Sequence, residues 1–176
     1  MTGISVRLPT KVRGGSAWSI GALAGLAGGV IEVGWITLYQ SLAGHDSAAV
    51  ARGVTQSLIP ELATTSAAVP LGVAIHMALA VVLGIVIALL VRTLLPRVVG
   101  TTMEPVAVVG MLVGVWAANF LVILPAINPG FVALVPYGAS LASKVLFGFA
   151  AAFVFWCVSR SAPSPKKAQK ETFDVQ

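Results

Sequence analysis

Three ionisable side chains, Glu32, His76 and Lys144, stand inside long apolar runs of this 176-residue sequence. A charge at the centre of a membrane-crossing helix costs roughly 2.5–3.5 kcal/mol on insertion scales, so each needs a compensating environment. Glu32 and Lys144 are natural ion-pair partners, and His76 is a hydrogen-bonding neighbour that can exchange a proton near neutral pH. Together they could relay a proton or hold a solute at mid-membrane. They could also form a buried pair that fixes how four helices, or two subunits, dock. Asn119 and Ser140 complete the intramembrane polar set, and Asn119 suits an interhelical hydrogen bond better than a ligand contact.

His76 opens one further chemistry, haem ligation. The other histidine, His45, lies in a loop, so a second axial ligand would have to come from a partner subunit or from Met77 or Met111. There is no His-x-x-x-His pair, no cysteine pair and no carboxylate cluster, so the residues predict no metal site. The single cysteine, Cys157, excludes an internal disulfide. Serine nucleophile elbows, phosphate loops and zinc-protease signatures are likewise missing, which points to a protein that is not an enzyme.

The elements that must carry these residues are membrane helices. Apolar residues make up 57% of the chain and charged ones only 10%, against about 25% charged in a soluble domain. Four segments, roughly 17–42, 69–90, 105–127 and 135–158, reach the ~20 residues that cross a hydrocarbon core. In lipid, runs of this length must satisfy their own backbone and are therefore helices. The first exceeds the roughly 7–15 apolar residues of a signal peptide and reads as a retained span. The expected fold is thus an all-α membrane protein of four transmembrane helices.

Counted from the predicted outer ends at Leu42, Val69 and Val135, the three ionisable groups agree in depth within about one helical turn. Their faces agree too. Gly21, Gly25, Gly28 and Glu32 form one stripe of the first span. Gly72, His76, Ala80 and Gly84 run at i+4 spacing on the second, and Ser140, Lys144 and Gly148 do so on the fourth. Small residues let membrane helices approach closely, so these faces, with Gly110 and Gly114 on the third span, are predicted to pack against neighbours. None of the three ionisable groups is expected to face lipid.

The basic residues set the orientation. Arg7, Lys11 and Arg13 precede the first span, Arg92 and Arg97 flank the middle connection, and Arg160, Lys166, Lys167 and Lys170 follow the last. Positive charge marks the cytoplasmic side, placing both termini (1–16 and 159–176) inside, the second as a disordered tail. Charge in this pattern flanks membrane spans and makes no nucleic-acid surface. Trp18 and Trp156 then sit at the inner interface, and Tyr39 and Tyr137 at the outer one. Trp35 and Trp116 lie near mid-span and read as packing.

In the outer loop 43–68, Asp46 can cap a short helix, and Val50, Val54 and Leu58 share one face. This pattern fits an amphipathic helix lying on the outer surface. Pro125 should kink or end the third span, and Asn128-Pro129-Gly130 should form a turn. The apolar stretch from Phe131 to Val135 keeps the second outer connection in the interface. Val69-Pro70-Leu71-Gly72 resembles Val135-Pro136-Tyr137-Gly138, which allows two repeated helical hairpins.

The layout resembles small bacterial inner-membrane proteins of the YagU-like, largely uncharacterised kind. The matching features are the glycine-rich first span (Gly21-Ala22-Leu23-Ala24-Gly25), His76 near the start of the second, and the basic turn Leu94-Leu95-Pro96-Arg97. A glycine-opening third span that ends in a proline turn, and a fourth closing on Trp156 and Arg160, also match. The outer loop here is shorter than the family's. The resemblance implies a multi-pass inner-membrane protein and carries over no site. The leading expectation is a non-catalytic accessory or structural subunit of a homo-oligomer or larger membrane complex. The alternatives are a small proton-coupled transporter or permease using Glu32, His76 and Lys144, and a haem-bearing electron-transfer subunit.

Overall fold

In the computed structural model, which describes residues 16–161 and side chains as far as 158, every regular element is helical. Four helical stretches, Ala17–Leu42, Ala68–Leu94, Glu104–Ile127 and Tyr137–Val158, are long and apolar enough to cross a bilayer. The chain is a multi-pass membrane protein. Its first helix, α1 (Ala17–Leu42), starts where the Ser16 hydroxyl accepts the Ser19 N–H. The span α3 (Ala68–Leu94) stops just ahead of Pro96, whose ring excludes the helical conformation from the residue before it. A turn through Gly100, at φ 75°, then leads to α4 (Glu104–Ala118), and the buried Glu104 carboxylate accepts the Gly100 N–H at 2.8 Å.

The two connecting segments at the opposite end are more structured than their composition suggests. α2 (Ala49–Leu58) forms as expected, but Asp46 acts upstream of it rather than as its cap. Its carboxylate accepts the Ala48 N–H at 2.9 Å and pairs with Arg52. The backbone N–H and the guanidinium hold the Asp46 carboxyl below its ordinary pKa. Nor does α2 simply rest on the surface. It lies against α3, because Gly72 has no Cβ to strike the Ala51 carbonyl and Thr55 donates to the Ala68 carbonyl at 2.6 Å.

The third span does not end early at Pro125 but continues to Ile127. α4 widens into a π-turn over Asn119–Ile123 and continues as α5 (Leu124–Ile127). Pro125 brings no N–H to the preceding turn. The wider turn compensates, with Leu124 N–H donating to the Asn119 carbonyl five residues back. Asn128-Pro129-Gly130 is the start of a short helix, α6 (Pro129–Leu134). Asn128 caps it by accepting the Phe131 N–H at 3.1 Å, with Pro129 in the first turn, where no donor is required. The chain then enters α7 (Tyr137–Ser161).

The bundle is closed at the end that carries the termini and splayed at the end that carries α2 and α6. At the terminal end α1 and α3 cross with their backbones touching. A Cβ on Gly84 would lie 2.5 Å from the Gly25 Cα, and one on Gly21 would lie 2.6 Å from the Ile85 Cα. Gly25 and Gly72 are equally confined, while Gly28 seats the Phe147 ring and Gly148 seats Val109. Ile87, Val108, Leu112, Phe147, Ala151 and Phe155 fill the space between.

Gly110 and Gly114, expected to pack, do not. Both are exposed, and a Cβ on either would meet nothing within 4 Å. α4 turns Val108 and Leu112 inward, and a position two residues further on lies about 200° around the helix. Gly138 also meets nothing, unlike Gly72, so the likeness of these two helix openings does not extend to packing. The disordered-tail expectation for 159–176 falls mostly outside the described residues.

Candidate functional site

The two charges predicted at similar depth are in contact. Lys144 Nζ donates to Glu32 Oε2 at 2.7 Å, joining α7 to α1. Both side chains are largely withdrawn from the surface, at 13% and 9% exposure. His76 arrives from α3, with Nε2 3.7 Å from the same Glu32 oxygen. That distance is too long for a hydrogen bond, and Nε2 is buried with no partner among the described residues. Glu32 Oε2 is thus the point to which one ammonium is bonded and beside which one imidazole waits.

Further partners were not singled out from the sequence. Ser143 Oγ lies 3.1 Å from Glu32 Oε1 and 2.7 Å from the Ser140 carbonyl, so its one proton serves either acceptor. The Phe147 ring lies 5.4 Å from Lys144 Nζ, within cation–π range. Trp116 donates its indole N–H to Ser140 Oγ at 2.9 Å, and Trp35 donates to the Ala139 carbonyl at 3.0 Å. Both tryptophans therefore pin α7 as well as packing against it. The available signal was Ser143 itself, a small polar residue next to Lys144 and one turn beyond Ser140.

The cluster borders a cavity of about 450 Å³ at the splayed end, within the ~300–1,000 Å³ range of small-molecule sites. Glu32, His76, Asn119, Ser140, Ser143 and Lys144 supply its polar lining. The apolar lining comes from the first three spans and from α2 and α6, including Ile36, Val54, Leu79, Leu83, Phe120 and Phe131, while the fourth span contributes only polar side chains. The loop-end connections are tied by Asn128 Nδ2 donating to Ser57 Oγ at 2.7 Å. Gln40, 2% exposed, donates to the Leu134 carbonyl and bonds His45. A second cavity of about 220 Å³ lies between α1, α2 and α3, and His76, Ile36, Val50 and Val54 border both.

Asn119 does not make the interhelical hydrogen bond expected of it. It begins the π-turn, lines the larger cavity, and its side chain has no hydrogen-bond partner among the described residues. Ser140 is fully engaged, donating to the Tyr137 carbonyl at 3.0 Å while accepting from Trp116. Neither methionine considered as a second haem ligand lines the cavity: Met77 lies beside Gly29 and Met111 against the apolar core. Among the described residues no three His, Cys, Asp or Glu side chains converge as a metal site would require. Comparison with known protein families, curated proteins and solved structures finds no match to this chain.

Proposed function

We propose that this chain is a non-catalytic protein of a bacterial inner membrane that holds a small solute at a mid-membrane site, as a carrier or permease. One observation supports this above the others: the Glu32–Lys144–His76 cluster is not sealed in the core but borders a cavity with an unpartnered amide, Asn119. A pair needed only for docking gains nothing from such a void, since unfilled volume beside packed helices forfeits contact energy.

A thiol placed in the cavity tests this reading. In a Cys157→Ser background, Asn119→Cys should react with N-ethylmaleimide on the order of tenfold faster than the outward-facing Val122→Cys. The reaction requires a thiolate, and therefore local water. Equal, slow labelling of both would mean a dry cavity and a purely structural pair.

Both termini are placed in the cytoplasm by the Lys/Arg bias. Reporter fusions at Gln176 and within 46–61 should be active on the cytoplasmic and periplasmic sides respectively, and a periplasmic C-terminus would refute this topology. The YagU-like layout is consistent with the reading and adds no residue to it. A second reading, an accessory subunit of a homo-oligomer or larger complex, draws on the open face of α4 at Gly110 and Gly114. A stoichiometric partner co-purifying in mild detergent would favour it.

A further inference from the structure

The larger cavity has an apolar mouth and a polar floor. Among its lining residues Leu58, Leu79, Val115 and Ile127 are the strongly exposed large side chains, between 37% and 70%. On a membrane protein such a rim meets hydrocarbon chains, so the way in lies through the bilayer between α3 and α4, which barely touch. A ligand using it has an apolar tail.

The floor defines the head group. Glu32 offers little to a cationic head, because its one negative charge is already balanced by Lys144 at Oε2 while Ser143 addresses Oε1. What remains is donors. Lys144 has three N–H groups and spends one on Glu32. Asn119 offers two amide N–H donors beside its one carbonyl, and His76 offers an Nε2–H whenever that nitrogen carries a proton. The complementary head is acceptor-only, as in a carboxylate or sulfonate.

Charge then fixes the stoichiometry. With neutral imidazole the cluster sums to zero, Glu32 against Lys144, and an anion added there would stand uncompensated in a low-dielectric site. One proton on His76 removes the difficulty. Imidazolium is drawn to Glu32 Oε2, the oxygen that Lys144 now occupies, and the ammonium is released towards the ligand. The charged groups facing His76 are Glu32 from α1 and Lys144 from α7. α2 contributes apolar side chains there, its Arg52 being paired with Asp46, and α4 contributes only the uncharged Asn119.

We propose that the cavity takes a single-tailed amphiphile with a monoanionic, acceptor-only head from the bilayer, together with one proton carried by His76. This rests on the cavity being a solute site.

The test uses the full chain in nanodiscs with octane-1-sulfonate, an anion that does not itself titrate. Its protection of Leu83→Cys, a cavity-lining position that supplies no donor, is read in a Cys157→Ser background as an N-ethylmaleimide rate ratio with and without ligand at each pH. The apparent Kd should rise about tenfold per pH unit on the alkaline side, as uptake of one proton requires. His76→Gln, which cannot take that proton, should bind weakly and without pH dependence. Octanol and octyltrimethylammonium should protect far less than the sulfonate. Protection that is independent of pH, unchanged in His76→Gln, or equal with octanol would overturn the proposal. Rapid labelling with no protection by any probe would overturn it while leaving the carrier reading intact. Slow labelling of Asn119→Cys without ligand would remove both.

Discussion

Glu32→Leu and Lys144→Leu should each destabilise the protein by about 3–5 kcal/mol, and the double variant should regain most of that loss. Each single change strands the other charge in a site where both are about nine-tenths withdrawn from the surface. The distances give the two variants different aftermaths. Without Lys144, Glu32 still has Ser143 at 3.1 Å and can draw His76 in from 3.7 Å. Without Glu32, Lys144 keeps only the Phe147 face. Glu32→Leu is therefore the more damaging of the two. Thermal unfolding in detergent measures the cycle, and additive losses in the double variant would show that the pair is not coupled.

Gly84→Leu comes next in size. Even a methyl group at Gly84 would sit 2.5 Å from the Gly25 N and Cα, where the obstacle is backbone and cannot swing aside. The helices must part, and α1 and α3 are the most extensively packed pair in the bundle. Overpacking costs typically 1–3 kcal/mol in a soluble core, and this contact belongs at or above the top of that range. Gly114→Leu is the control, because nothing stands within 4 Å of it and its helix face is open. Equal melting temperatures for Gly84→Leu and wild type would contradict the close crossing. A large loss in Gly114→Leu would instead point to an unseen partner on α4.

These two experiments also mark how much of the molecule its sequence specifies. The four spans follow from run length alone, since nothing but a helix satisfies 20 apolar residues in lipid. The meeting of Glu32, His76 and Lys144 followed from counting depth along those spans and from the small residues sharing their faces. The error at Gly110 and Gly114 has the same root as the success at Gly21 and Gly25. Two glycines at i+4 look alike in a sequence, and which face a helix turns inward depends on its neighbour, here Val108 and Leu112 against α7. The cavity was not legible at all. It is space left by the splay of four helices under α2 and α6, and no residue encodes it singly. Pro125 signalled a disturbance in the third span, yet a π-turn that places Asn119 on the cavity wall depends on which carbonyls find donors.

The tight crossing of α1 and α3 makes the molecule a vestibule with a shut back wall. A ligand that reaches Lys144 finds Phe147, Leu112 and Ile87 beyond it, closely packed, and then the backbone contact at Gly21, Gly25 and Gly84. On the carrier reading proposed above, loading and unloading through the α3–α4 gap would leave that contact untouched. On the same reading, delivery to the other side would have to open it. The two directions of travel would then be kinetically unequal, and the glycines that let two backbones meet would also be the latch on the far door.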